Sequence, residues 1–447
     1  MIKTVYGTMK FNRWTLNNKS SADGHAVLPL ESQKSIFERA LYFISFPFDV
    51  NLGEVFGFGT YGVHWIIENY DGENRAKNGY WTDSPPNWKY VMSPKGYTLK
   101  ANKGYILCLD LDQMKDDNEE FWPHGINTVE LFFPSAVSQK TIEQDNVTIP
   151  APDPAVYQCT INRPGPDGDR RVKDSYWRCL GVPSFANYTT TLSNGTSTIT
   201  WQTADNTLPY LYVWNMEDNT LSAQSTSTFA FKTMHAYLTQ CATAIVWSAA
   251  SKPTPIAARY SDNEMLKDRE FRLELAENNV VADQTYVRLS AREDVTASFE
   301  FGNDMSKEMN TGKSNIYTFI GTDQAAANSL PLSTEQTTII PVGVLANTAG
   351  DYTFSMPDGT DGIGITLVDS ETGIRTQLGA LDYTVTLDKG TYDERFYLEI
   401  SPIHNTPTDF GGVNSNQPSA VRKVIIDQNM YIIRDGKMYN VQGARCN

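Results

Sequence analysis

The sequence predicts an all-β protein made of tandem antiparallel β-sandwich modules with a C-terminal β-hairpin or meander tail. Aromatic residues make up 12% of its 447 residues, and aromatic and β-branched residues favour strands. Turn formers, including 30 glycines and 22 prolines, recur between short apolar runs, which is typical of many short strands. Sustained helical periodicity is nearly absent, and a single helical turn is expected at residues 303–309.

The net charge disfavours two classes of partner, and the apolar runs are too short for a membrane span. The formal net charge is −15, whereas nucleic acids and anionic membrane surfaces attract basic faces. No run approaches the about 18 apolar residues of a membrane span. The first residues, MIKTVYGTMKFNRW, lack the apolar core of a signal peptide. We therefore expect no nucleic-acid partner and no transmembrane segment, in a cytosolic protein or in a piece of a longer exported chain.

Three sequence blocks occur twice in the same order. The matched pairs are YFISFPFDV (42–50) with WRCLGVPSF (177–185), HWIIENYDG (64–72) with LYVWNMEDN (211–219), and LKANKGYIL (99–107) with FKTMHAYLT (231–239). The first pair aligns on Pro47 and Pro183, and the last aligns Tyr105 with Tyr237 without gaps. Internal similarity in a fixed order indicates repeated structural units. The sequence thus predicts two copies of one β-module, at residues 1–150 and 155–250, which we call the first and second regions.

A third region is predicted at residues 265–402. Pro-rich, polar stretches at 148–157 and 250–264 have the composition of domain linkers. Beyond them, alternating apolar residues predict eight strands, at 285–289, 297–301, 316–320, 338–344, 351–355, 363–368, 383–387 and 396–400. Short strands separated by Gly, Asp and Pro turns predict an immunoglobulin-like or jelly-roll sandwich.

The chain ends in a predicted linker and a small β-tail. Residues 403–420 are rich in Pro, Gly, Asn and Ser, as flexible linkers are. In the tail, residues 421–447, three apolar runs surround Asp435-Gly436, and Asp-Gly is a strong hairpin signal. An isolated hairpin of this size is marginally stable in water, so a role other than stability is expected for it.

Several of these blocks resemble the C-terminal regions of large surface and secreted proteins of Bacteroidetes. The residues that carry the resemblance are WIIENYDGENRAKNG, LKANKGYIL, LGVPSF, DQTYVRL, FEFGNDMSK, GDYTF, RFYLEI and KVIIDQNMYIIRDGKMYNVQGAR. The resemblance implies an exported adhesin on the outer cell surface or outside the cell. Its expected partners are a host or microbial surface protein or a glycan, and no catalytic residue is carried over.

The tail is similar to the C-terminal sorting segments of type IX secretion, which end in short strands with a Gly-Arg-like element. Here Gly443 and Arg445 match that element, beside the Asp435-Gly436 turn, and imply contact with secretion machinery. Cys446 and Asn447 follow, which departs from the commonest ending. The alternative is a hairpin that docks on the third region and completes a sheet.

Catalysis has few candidate residues in this sequence. The five histidines are dispersed and none has HExxH spacing. Neither a GxSxG elbow nor a phosphate-binding P-loop occurs. We therefore expect a protein that is not an enzyme and needs no cofactor.

Calcium is the one metal ion considered. Residues 110–120 begin like an EF-hand loop but carry Lys115 where the turn glycine belongs. Asp358 and Asp361, in PDGTDGIG, offer oxygen ligands on one loop. A solvated turn chosen for its Asp-Gly conformations is the alternative explanation.

An aromatic patch is the predicted ligand site. In GYWTDSPPNWKY (79–90) the candidate glycan-binding residues are Tyr80, Trp81, Asp83, Asn87 and Trp88. Sugar rings stack on aromatic planes while carboxylates and amides bind their hydroxyls. Core packing of Trp88 is the alternative. The predicted function is a non-catalytic, adhesive or structural surface protein, and the alternative is a carbohydrate-binding appendage of a polysaccharide-degrading system.

The five cysteines are too few and too scattered for a disulfide scaffold. Cys159 and Cys179 both lie in strand-like runs. The sequence leaves two alternatives for this pair, a disulfide bridge or two free, buried thiols.

Overall fold

The computed structural model describes the chain in ranges with gaps between them. These are residues 6–12, 39–57, 59–79, 87–110, 128–134, 146–162, 164–165, 168–181, 198–203, 209–215, 220–226, 229, 231, 235–250, 268–292, 294–360, 363–402, 422–426, 429–434, 437–440 and 445–446. The chain forms two units, Met1–Ile403 and His404–Asn447, and each is described by itself.

The prediction of an all-β fold is confirmed. In the described ranges the helices are short: α1 Gly72–Asn78, α2 Pro154–Tyr157, α3 Arg170–Lys173 and one 3-10 turn, Leu52–Glu54. Each α-helix begins after an aspartate, and the side chains of Asp71, Asp153 and Asp169 accept a backbone N–H of the first turn. An aspartate in this position satisfies a donor that the helix itself leaves unpaired.

The first region is a pair of antiparallel sheets. Its strands are β1 Tyr6–Asn12, β2 Arg39–Ser45, β3 Val50–Asn51, β4 Phe56–Gly57, β5 Trp65–Tyr70, β6 Trp88–Tyr90, β7 Thr98–Leu99, β8 Gly104–Asp110 and β9 Thr128–Pro134. One sheet has the order β2-β8-β5-β6 and the other β1-β9-β4, while β3 pairs with β7. The rings of Phe46 and Phe133, 4.7 Å apart, pack in the core that joins the sheets.

The second region is joined by a strand that precedes its predicted start. Its strands are β10 Asn146–Ile149, β11 Pro164–Gly165, β12 Gly168–Asp169, β13 Trp177–Gly181, β14 Thr198–Thr203, β15 Tyr210–Asn215, β16 Thr220–Ser225, β17 Ala236–Gln240 and β18 Ile245–Ala250. The sheets have the orders β13-β17-β15-β16 and β10-β18-β14. Although β10 precedes residue 150, it pairs with β18, with Ile149 opposite Ile245.

The two regions share one strand order, and the ladder of β2 with β8 has the register of the ladder of β13 with β17. Apart from the short ladders, the first, seventh and third strands of each region form one sheet, and the second, sixth, fourth and fifth form the other. Ser45 faces Gly104 in the first region, and Gly181 faces Ala236 in the second. The sequence blocks align these same residues, Ser45 with Gly181 and Gly104 with Ala236. That the regions are copies of one module stays a prediction, and this correspondence supports it.

The two four-stranded sheets pack against each other with approximate two-fold symmetry. Isolated bridges join Ile44 to His235 and Lys103 to Leu180. The sequence blocks align Ile44 with Leu180 and Lys103 with His235, so exchanging the regions converts one bridge into the other. Such reciprocal contacts are the mark of an isologous interface. Between the sheets lies a core with members from both, including Cys108 and Leu238.

The third region is one continuous curved sheet. Its strands are β19 Arg269–Glu277, β20 Val280–Ser290, β21 Met305–Ser306, β22 Asn315–Ile320, β23 Asp323–Pro331, β24 Thr338–Ala346, β25 Gly350–Ser355, β26 Ile365–Asp369, β27 Arg375–Gln377, β28 Tyr383–Leu387 and β29 Gly390–Ile400. Their order is β27-β26-β29-β24-β22-β23-β20-β19-β25-β28, with β21 on β23. Phe354 of β25 lies 4.9 Å from Phe396 of β29, so the two arms of the sheet enclose one core.

The structure departs from three predictions for the third region. No strand spans residues 297–301: residues 297–298 are bends and Phe301 forms only an isolated bridge with Asp304. Glu300 accepts hydrogen bonds from the backbone N–H and the hydroxyl of Thr296, and such local side-chain bonds compete with strand pairing. Residues 303–309 hold the strand β21 and no helical turn. The sheet also contains a parallel pair, β20 with β23, where only antiparallel pairs were expected. The Ala-rich β23 was missed because alanine is a weak strand former.

The third region contributes to the core between the other two. Tyr286, Met305 and Ala327 belong to the cluster that also contains Trp177 and Tyr212. Residues Met1–Ile403 accordingly form one compact unit. The predicted boundaries of three separate domains stay predictions.

The second unit contains a four-stranded antiparallel sheet. Its strands are β30 Arg422–Ile426, β31 Asn429–Arg434, β32 Lys437–Asn440 and β33 Arg445–Cys446. They pair in chain order, β30-β31-β32-β33. Asp435, Gly436 and Gly443 lie outside the described residues. In the described part of the chain, no helix is long and apolar enough to cross a membrane.

Candidate functional site

A cleft of about 420 Å³ opens where the first and second regions meet. Its walls are the start of α1, the turn at residues 101–103, residues 148–153 with Tyr157, and residues 177–180 of β13. We call it the Lys103 cleft, after the ammonium-bearing side chain in its lining. It belongs to neither region alone, since segments of both close around it.

The predicted linker at residues 148–157 forms one wall of this cleft. Arg178 of β13 holds that wall in place, donating to the carbonyl of Pro150 at 2.8 Å and to that of Thr243 at 3.0 Å. Asp153 begins α2 by accepting the N–H of Ala155 at 2.9 Å. These contacts make the wall a fixed part of the second region and not a flexible linker.

Lys103 supplies the positive charge of the cleft. Its ammonium group makes no hydrogen bond or ion pair with the described residues around it. Burial lowers the pKa of the Lys103 ammonium, although the carboxylates of Asp71 and Glu73 act in the opposite direction. An anionic group that enters the cleft would stabilise this half-buried ammonium by a charge-assisted hydrogen bond.

Tyr157 supplies an aromatic side chain to the lining of the cleft. The side chain is half-buried, and burial together with the Glu73 carboxylate raises the pKa of its phenol. The floor between the walls is tight because Gly72 lies against β13. A Cβ on Gly72 would stand 2.0 Å from the carbonyl oxygen of Trp177. The close approach of α1 to β13 therefore requires glycine at this position.

A buried ionic cluster lies behind the cleft and joins all three regions. The guanidinium of Arg75 donates to Glu308 at 2.5 Å and to Asp174 at 3.4 Å. It also stacks on the Trp177 ring at 4.4 Å. Burial raises the pKa of the Asp174 carboxyl, although Arg75 and Arg170 lower it. Removing one member of such a cluster leaves an uncompensated buried charge, which costs about 3–5 kcal/mol.

The residues of the predicted glycan patch that are described make structural contacts. Asn87 is buried and accepts a hydrogen bond from Asn74 of α1 at 2.9 Å. Trp88 packs on Tyr70 at 4.8 Å and on Phe43 at 5.3 Å, at the edge of the shared core. Tyr80, Trp81 and Asp83 lie outside the described residues. Trp88 is thus packed against the core, and the glycan role of the patch stays a prediction.

Of the two predicted calcium ligands, Asp358 lies in the described ranges. Asp358 accepts two hydrogen bonds from Arg272, at 2.9 and 3.1 Å, and Asp361 lies outside those ranges. No group of three His, Cys, Asp or Glu side chains suited to a metal ion occurs in the part of the chain that the structure describes. Residues 111–120 of the EF-hand-like loop are also outside it.

Four cysteines, Cys108, Cys159, Cys179 and Cys241, are free. Cys159 and Cys179 are both free and buried, and burial raises the pKa of both thiols. Two free, buried thiols were one of the alternatives that the sequence left open. In the second unit, Arg445 lies in β33.

Sequence reasoning did not identify the Lys103 cleft. Lys103 lies within the matched block LKANKGYIL and Arg178 within WRCLGVPSF, and both blocks were interpreted through their apolar residues alone. An arginine inside an apolar strand was the available signal, because a buried guanidinium must find acceptors. No family model matches this chain, and neither a curated protein nor a solved structure matches it.

Proposed function

We propose that this chain is a non-catalytic, adhesive or structural part of an exported cell-surface protein, and that the Lys103 cleft holds its ligand. The observation that carries the binding role is the half-buried ammonium of Lys103, which has no hydrogen bond or ion pair among the described residues and lines a cleft of about 420 Å³. Ligand sites of proteins typically measure about 300–1,000 Å³ and contain a few convergent polar groups in a largely apolar lining. The all-β architecture is compatible with this role, and surface placement rests on the resemblance of the sequence blocks.

The ligand class follows from the lining. Lys103 favours a carboxylate, and the half-buried ring of Tyr157 offers a face to an apolar surface such as the C–H side of a sugar. A sugar acid combines both features in a molecule of suitable size. The same cleft therefore supports the second candidate, a carbohydrate-binding appendage, with the site in the Lys103 cleft and not at Trp88.

A binding titration tests this proposal. Glucuronate and glucose are titrated separately into the full chain, with binding followed by calorimetry or by NMR. We expect glucuronate to bind more tightly, because a hydrogen bond to a charged group contributes about 1.5–3 kcal/mol, or about tenfold to a hundredfold in affinity. Lys103→Met should remove this preference, and Lys103→Arg should keep part of it.

Lys100→Met is the matched control. Lys100 is in the same turn, but its side chain is exposed and pairs with Asp49. This variant should bind glucuronate as the wild type does. Equal binding of the two sugars, or full binding by Lys103→Met, contradicts a role for the cleft ammonium.

A further inference from the structure

Lys307 and Asp283 form an ion pair deep inside the third region. Lys307 follows β21, Asp283 lies in β20, and the Lys307 Nζ donates to the Asp283 Oδ2. Their side chains are only 0% and 1% exposed. Asp283 opens the block DQTYVRL and Lys307 closes the block FEFGNDMSK, two sequence features that the proposed function does not use.

This pair differs from the other lysine–carboxylate pairs of the described residues. Lys89 with Asp71 and Lys100 with Asp49 are solvated, with lysine side chains 41% and 65% exposed. The other deeply buried pairs use arginine, such as Arg75 with Glu308, and a guanidinium stays protonated in proteins. Within the described ranges, the pair of Lys307 and Asp283 alone combines a potential amine nucleophile with a carboxyl group away from water.

The surroundings of the carboxyl group favour its uncharged form and polarise it. Burial raises the pKa of the Asp283 carboxyl, although Lys307 and the N–H groups of Ile316 and Gln284 lower it. The Ile316 N–H donates to the Asp283 Oδ2 at 2.8 Å. Backbone donors aimed at a carboxyl oxygen stabilise the oxyanion that forms when a nucleophile attacks the carbon.

We propose that Lys307 and Asp283 become joined by an amide bond between Nζ and Cγ. Proton transfer within the ion pair gives an uncharged amine and a carboxylic acid. The nitrogen lone pair then attacks Cγ and forms a tetrahedral intermediate whose oxyanion is held by the backbone N–H groups. The Cγ–OH bond breaks, the hydroxyl takes a proton from nitrogen, and one water leaves. The step needs no oxidant, reductant or other reactant.

Two physical effects favour this reaction in the folded protein. The fold holds the amine and the carboxyl group in contact, which replaces a bimolecular encounter by an intramolecular step. The core that surrounds them excludes the water that would favour the reverse reaction, hydrolysis. Isolated peptides of the same sequence lack both conditions, so the bond should form only after folding.

The bond would fasten the segment that carries Glu308. Met305 and Ser306 pair with β23, which also pairs with β20, so the bond would tie residues 305–308 to a central strand. Because Glu308 pairs with Arg75, this segment also holds the third region against the first. A covalent link at this point resists mechanical separation, which suits a chain under load whatever ligand it binds.

Mass spectrometry of the purified full chain tests the proposal. We expect an intact mass below the sequence mass by one water molecule, and a branched peptide that contains both Lys307 and Asp283 after digestion in denaturant. The peptides of Lys89 and Lys100 should be linear in the same digest. A succinimide at an Asp-Gly pair also loses one water, so the branched peptide decides the question.

Variants make the assignment specific. Lys307→Arg should restore the full sequence mass, and Asp283→Asn should shift the loss from one water to one ammonia, since the leaving group changes. Recovery of linear peptides for both Lys307 and Asp283 from the folded wild type overturns the proposal and leaves an ordinary buried ion pair. That result stands even if a variant does not fold.

Discussion

Ser45 and Gly181 touch each other across the interface between the first and second regions. A Cβ on Gly181 would lie 1.7 Å from the Ser45 Oγ, which donates to the carbonyl of His235 at 2.8 Å. The sequence blocks align these two residues with each other, so each is the symmetry equivalent of the residue it contacts. The space at this contact holds one side chain, so a serine fits at one of the two positions only when the other is glycine.

We expect Gly181→Ser to destabilise the protein and a reciprocal exchange to repair it. The single variant places two side chains in one space, an overpacking that costs about 1–3 kcal/mol. In Ser45→Gly with Gly181→Ser, the side chain is moved to the other side of the symmetry axis, where the carbonyl of Lys103 takes the place of that of His235. Urea unfolding should show that the double variant regains most of the unfolding free energy that Gly181→Ser alone loses.

The outcome of the exchange tests the two-fold relation itself. If the double variant loses the sum of the two single losses, the positions are not equivalent and the approximate symmetry has no energetic meaning. Ser45→Gly alone should lower the unfolding free energy by about 1 kcal/mol, because the hydrogen bond of the serine is missing. This value completes the comparison of the single variants with the double variant.

The block matches that predict a repeat could be found in the sequence because strand pairing leaves a strict pattern. Side chains alternate between faces, so a one-residue slip would expose the apolar set of a strand, and both regions keep Ser45 and Gly181 at equivalent register positions. The glycan patch could not be judged in the same way. Trp88 is suited to a sugar or to a core, and only the packing of Tyr70 and Phe43 on it separates the two.

The Lys103 cleft was beyond sequence reasoning for a different reason. Its walls come from segments near residues 72, 103, 150 and 178, which are far apart along the chain. No local sequence pattern indicates that the predicted linker at residues 148–157 forms one wall of the cleft. The isolated β-bridge of Lys103 with Leu180 is a tertiary contact and has no signature in either segment alone.

Gly72→Ala should weaken the contact of α1 with β13. The added methyl group would lie 2.0 Å from the Trp177 carbonyl oxygen, and backbone on both sides must move to relieve the clash. We expect a loss above about 2 kcal/mol, measured by urea unfolding. Gly390→Ala is the control, since a Cβ there would lie 3.8 Å from a ring carbon of Tyr392, an ordinary contact. Similar losses of unfolding free energy for both variants would contradict the close approach.

Asp304 should make the stability of the third region fall as pH rises. Burial raises the pKa of this carboxyl to about 8, although the N–H groups of Ser329 and Glu300 lower it. The folded state thus binds its proton more tightly than the unfolded state, whose pKa is about 3.9. The stabilisation is complete below about pH 4 and is lost as pH rises towards 8, at up to about 1.4 kcal/mol per pH unit.

The test is to measure the unfolding free energy of the wild type and of Asp304→Asn from about pH 5 to about pH 8.5. In most of this range the folded state holds the Asp304 proton and the unfolded state does not. The difference in unfolding free energy between them should shrink or reverse as pH rises, because only the wild type has a proton to lose. Parallel curves for the two proteins would show that Asp304 does not titrate in this range.

Chelators should have little effect on stability. Asp358 already accepts two hydrogen bonds from Arg272, so its carboxylate is neutralised by a side chain of the same unit. A tightly bound ion would add a few kcal/mol to the folded state by mass action. We expect EDTA to leave the melting temperature unchanged, and a fall of many degrees would point to a cation site that includes Asp361 or residues 111–120.

The tail at residues 421–447 should be dispensable for the stability of the first unit. Residues His404–Asn447 form a separate unit, and the cores of the first unit close among residues before 403. Deleting the tail should therefore change the unfolding free energy by less than about 0.5 kcal/mol, the usual range for changes away from packed features. In a host with type IX secretion, the same deletion should keep the protein inside the cell if the tail is a sorting segment. A clear loss of stability or solubility with unchanged export would instead favour docking on an open sheet edge, because removal would then expose unpaired strand backbone.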